Sequence, residues 1–107
     1  METTIDKARR LTHFLETHRR ESDAVIDPVL DKLLDRERQV IIKQRNEVRA
    51  DLDQFERQYG LESSEFHERF ESGEMGDDMD FFDWSGTWRV YQSILKSLKT
   101  FDLPYSE

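Results

Sequence analysis

Five carboxylates fall within ten residues of this chain: Glu74, Asp77, Asp78, Asp80 and Asp83. Such a cluster can hold a hard cation, cap a helix or pair with the cations of a partner. A calcium loop needs oxygen ligands at alternating positions, a central glycine and a closing glutamate. Here the glycines, Gly73 and Gly76, come before most of the acids, and Phe81-Phe82 stand where polar ligands would continue, so no metal site is read. Capping the following helix takes only one or two of the five acids. The others are left to dock Arg or Lys of a partner.

No other constellation carries chemistry. The chain has no cysteine, which excludes a thiol nucleophile, a disulfide framework and cysteine-based metal centres. His13 and His18 are five apart, on different helix faces, and His67 stands alone. There is no His-Glu-x-x-His pair for a metalloprotease, and no Arg-x-x-x-x-His of the kind many helical ribonucleases carry. With 24 acids in the chain, a carboxylate pair arises by chance. Four glycines leave no phosphate-cradling loop. The expectation is a protein that is not an enzyme and takes no cofactor.

Aromatic residues adjoin the acids. Eleven of the twelve lie at or after Phe55. Phe81, Phe82 and Trp84 sit beside the carboxylates, and aromatics rimmed by charge are the composition of an interaction hot spot. The same residues can serve as core, the usual fate of large apolar side chains. The candidate partner-binding set is Glu74, Asp77, Asp78, Asp80, Phe81, Phe82 and Trp84.

Charge sharpens this placement. Net charge is -8 over 107 residues. Residues 1–50 hold 11 basic and 10 acidic side chains, and residues 51–107 hold 5 and 14. The second half therefore carries the whole excess and favours a basic protein partner over nucleic acid. The stretch Arg36–Arg49, with five cations and two acids, is the one local exception. No aromatic interleaves it, and internal ion pairing is its simplest use.

The elements that must position these residues read as four helices. The first covers about Thr4 to Arg20, with Ile5, Ala8, Leu11 and Leu15 on one stripe and Thr3 or Thr4 as cap. A break follows at Glu21-Ser22-Asp23. Asp27 as N-cap and Pro28 at the first helical position open the second helix, which continues without Gly or Pro to Tyr59, where Gly60 ends it. That is roughly 48 Å, longer than the ~35 Å width of a compact chain of this size. Leu34, Ile41, Val48 and Phe55 recur every seven residues, with Leu30, Leu52 and Tyr59 four away. Glu37, Gln44 and Asp51 interrupt the second seam, so a hairpin with the first helix or a short antiparallel dimer contact is expected rather than a long coiled coil. A short helix, Ser64 to Glu71, carries Phe66 and Phe70 on one face, capped by Ser63 or Ser64. The last, about Asp78 to Leu98, has Phe81, Trp84, Trp88, Tyr91, Leu95 and Leu98 at spacings of three and four. Phe101 and Tyr105 flank Pro104 in the tail.

The expected fold class is all-α: a long helical hairpin, a short helix and a C-terminal aromatic-faced helix. A single domain, 1–107, is expected, with residues 1–59 as the hairpin and 60–107 as the acidic, aromatic part. No apolar run is long enough for a membrane span or a signal peptide, and the cytoplasm is the expected location.

The string Tyr59-Gly60, Ser63-Ser64-Glu65-Phe66, Arg69-Phe70, Gly73-Glu74-Met75-Gly76-Asp77-Asp78, Asp80-Phe81-Phe82-Asp83-Trp84 and then Tyr91 resembles a motif of small helical antitoxin-like proteins. These are encoded beside a short toxin in bacterial and archaeal toxin–antitoxin loci. The likeness covers about a third of the chain. It implies a partner-binding protein that would neutralise a small basic toxin by masking a basic surface with the acidic, aromatic half. No DNA-binding module of the sort many antitoxins carry is readable. Two other classes stay open: a homo-oligomeric, in the simplest case dimeric, helical scaffold, and a nucleic-acid-binding regulator using Arg36–Arg49.

Overall fold

Thr3 and Asp6 open the first helix by capping each other's backbone. The Asp6 amide donates to Thr3 Oγ1 at 3.1 Å, and the Thr3 amide donates to Asp6 Oδ2 at 2.9 Å. The structure, a computed structural model, describes residues 1–18 and 24–103. Those residues form four helices and no strand: α1 (Thr4–His18), α2 (Ile26–Tyr59), α3 (Ser63–Glu71) and α4 (Met79–Asp102). The fold class is all-α, as expected. The expected break at Glu21-Ser22-Asp23, Arg19 and Arg20, and the tail residues Pro104 and Tyr105 lie outside the described residues.

The chain divides into two compact units, Met1–Leu34 and Asp35–Glu107, and the division falls inside α2. The first unit holds α1 and the opening turns of α2. None of its described side chains is buried, and Ile5, Phe14, Val29 and Leu33 are exposed. Asp27, expected to cap α2, lies instead within its first turn, because the helix begins at Ile26. There its carboxylate faces the positive end of the helix dipole.

The second unit contains the core. Three side-chain pairs set its geometry: Arg38 with Asp102, Arg49 over the Tyr91 ring, and Tyr59 with Asp80. Numbers rise along α2 as they fall along α4, so the two helices run antiparallel. Their paired spans match, at about 32 and 33 Å for 1.5 Å per residue. The heptad line of α2 thus finds its cover in α4: Ile41, Val48 and Phe55 are half-buried and Leu52 is fully buried. The aromatic stripe of α4 points inward as its spacing predicts. Trp84 is fully buried, and Phe81, Trp88, Tyr91, Leu95 and Leu98 are half-buried.

Two glycines at positive φ permit the tight turn after α2 and the one after α3. Gly60 (φ 64°) donates its amide to the Glu56 carbonyl and ends α2, as expected. Gly73 (φ 85°) donates to the Phe70 carbonyl and Glu74 to that of Arg69, the paired bonds of a Schellman ending. Gly86 is different. It sits inside α4, where glycine costs about 1 kcal/mol relative to alanine, and no neighbouring atom lies within 4 Å of where a Cβ would be.

Candidate partner-binding site

The acidic, aromatic corner begins at the end of α3 and turns into the start of α4. Its foundation is Trp84. The indole stacks on Phe66 with centroids 3.8 Å apart and planes 3° from parallel, and Phe55 and Tyr59 lie near-parallel at 5.5 and 5.6 Å. Its Nε1–H donates to Ser63 Oγ at 2.9 Å. The sequence reading gave Trp84 a contact role. With no exposed surface, it anchors the corner from within and reaches no partner in this conformation.

Ser63 leads into a polar chain that sequence reasoning missed. Its amide and hydroxyl both donate to Glu56 Oε2, at 2.8 and 2.7 Å. Glu56 therefore caps α3 from α2, the service expected of Ser63 or Ser64 themselves. Arg49 donates to Glu56 Oε1 at 2.6 Å and to Asp53 Oδ1 at 2.9 Å. Burial pushes the Glu56 carboxyl up, but the Ser63 bonds and the Arg49 charge outweigh it and hold the group below its ordinary value. Burial likewise opposes the Arg49 charge, and Asp53 and Glu56 overcome it, raising its pKa.

The remaining candidate residues fall into two groups. Asp78 caps α4, its Oδ1 accepting the Asp80 amide at 2.9 Å. Asp80 Oδ2 accepts the Tyr59 hydroxyl at 2.6 Å, and this bond, with desolvation, pushes the tyrosine up to about 12. Phe81 is half-buried against Tyr59 and Phe66. These three hold the corner together. Glu74 and Asp77 are exposed, as is Asp83, a member of the acidic cluster outside the candidate set. So is Phe82, at 53%, with its ring set edge-on to Phe70 at 5.4 Å. Helical phase separates the neighbouring aromatics: 81, 84, 88 and 91 share one stripe, and 82 falls off it.

No three His, Asp or Glu side chains converge into a metal-holding group among the described residues. His67 is half-buried, and its enclosed Nδ1 has no hydrogen-bond partner among them. The basic stretch of α2 is partly consumed internally. Arg38 pairs with Asp102, Arg49 with Asp53 and Glu56, and Arg45 donates to Asn46. No described helix is long and apolar enough to cross a membrane. Comparison with protein-family models, with curated proteins and with solved structures finds no match to this chain.

Proposed function

We propose that the protein is a small antitoxin-like binding module, which neutralises a basic toxin by covering a cationic surface with its acidic, aromatic corner. The observation that supports this reading most is Phe82. A large aromatic side chain is half-exposed beside Asp83, four residues after Asp78, on a turn braced by a buried tryptophan. A pre-formed apolar anchor ringed by carboxylates suits a partner rich in Arg and Lys. The acids would steer association, and the aromatic contact would slow dissociation.

The test uses the product of the neighbouring short gene, co-expressed with this chain. Asp77→Lys/Asp83→Lys reverses two exposed charges that make no described side-chain pair. It should weaken binding about tenfold or more, with a steep dependence on salt, and leave the melting temperature unchanged. An unaltered affinity in the folded variant overturns masking by this corner. A neighbour that is harmless when expressed alone overturns the antitoxin reading itself.

A further inference from the structure

A groove runs along one flank of the α2–α4 pair. Its first hollow, about 450 Å³, is lined by Val48 and Asp51 of α2 and by Phe82, Asp83, Gly86 and Val90 among the α4 residues. A second, about 440 Å³, lies further along the pair, with Ile41 opposite Ser93, Ser97 and Phe101. Positions 82, 86, 90, 93, 97 and 101 recur at helical spacing, so both hollows open on the same side of α4. From Phe82 to Phe101 the groove is about 28 Å long, the length of a helix of some 18 residues.

Three features say what fits. Phe82 and Val90 are half-exposed, at 53% and 50%, so the floor is apolar and uncovered. Gly86, Ser93 and Ser97 keep the α4 wall low, and among the described residues no neighbouring atom lies within 4 Å of where a Cβ on Gly86 would be. Asp51 and Asp83 stand at the Phe82 end, and Lys96 lines the other hollow. A second copy of the groove-bearing unit, residues 35–107, with 17 acids and 10 bases, would meet like charge.

We infer that this groove receives one amphipathic helix of a basic partner. The helix lays an apolar stripe over Val48, Gly86 and Val90, with its cations against Asp51 and Asp83. The inference rests on the masking reading and adds to it the shape of the ligand and a contact face that continues from Phe82 and Asp83 along α4.

The probe is a synthetic 18-residue helix with Leu at i, i+3, i+4 and i+7 positions and Lys elsewhere. A charge-matched peptide without the leucine stripe is the control. Amide resonances of Val48, Gly86 and Val90 should shift with the probe and stay put with the control. A Cβ at Gly86 meets no neighbouring atom within 4 Å and leucine is the better helix former, so the fold of Gly86→Leu should persist by circular dichroism. It should weaken the probe at least tenfold. Equal affinity of Gly86→Leu and the parent, or shifts confined to residues outside the groove, overturns the inference. Light scattering that shows a dimer reverting to monomer in Gly86→Leu also overturns it, in favour of a second copy. Glu74→Lys/Asp77→Lys, at residues that do not line the groove, separates the two proposals. If it disarms toxin neutralisation while Gly86→Leu does not, masking stands and the groove falls.

Discussion

Glu56 carries more of the structure than any acid of the conspicuous cluster. It accepts from Ser63 twice and from Arg49 once, and through Ser63 it reaches the Trp84 indole. Glu56→Gln keeps the shape and removes the charge. It should cost about 1.5–3 kcal/mol, the range for hydrogen bonds to an ionised group. Because its pKa is depressed on folding, this contribution is present above the ordinary carboxylate value of 4.5 and fades as pH falls through the lower folded-state value. The melting temperatures of parent and Glu56→Gln should therefore converge as the pH falls below about 4.5 (thermal melts through the acid range check this). Nothing about Glu56 in the linear sequence announces this role. It precedes Ser63 by seven residues, and only the turn at Gly60 brings the two together.

Among the helices, the apolar periodicities were legible and their partners were not. The Leu34–Ile41–Val48–Phe55 line is visible as a repeat, and so is the α4 stripe. What hid the continuous seam of α2 was Arg38 and Arg45, which fall at seven-residue spacing in the register of Leu52 and Tyr59 and read as surface. Arg38 is half-buried and answers Asp102, 64 residues away, a distance over which spacing says nothing. Phe82 was separable from Trp84 by helical phase alone, yet composition grouped them. At the other end of the helix pair, Tyr59 bonds Asp80 with a pKa pushed up to about 12. A tyrosine raised on folding lends stability below its ordinary 10, and that stability drains away as pH climbs from 10 through 12. Tyr59→Phe should lose stability at neutral pH and then decline less steeply than the parent over that window. Absorbance at about 295 nm should show one tyrosine ionising late in the parent and at an ordinary pH in Asp80→Asn.

At the scale of the whole chain, the two units differ in kind. Met1–Leu34 contains no buried side chain among its described residues, and Asp35–Glu107 contains Leu52, Phe66 and Trp84 at zero exposure. Isolated helices without burial are marginal in water. Hydrogen exchange should therefore find the amides of α1 weakly protected and those around Leu52, Phe66 and Trp84 protected to near the global stability. Equal protection across both would contradict this division. Both tryptophans, Trp84 and Trp88, belong to the second unit. Intrinsic fluorescence is consequently deaf to whatever happens in the first thirty-four residues, while far-ultraviolet ellipticity counts every helical turn. An unfolding curve drawn from indole emission alone would describe a smaller protein than the one in the cuvette, and the offset between the two signals measures how loosely the halves melt together.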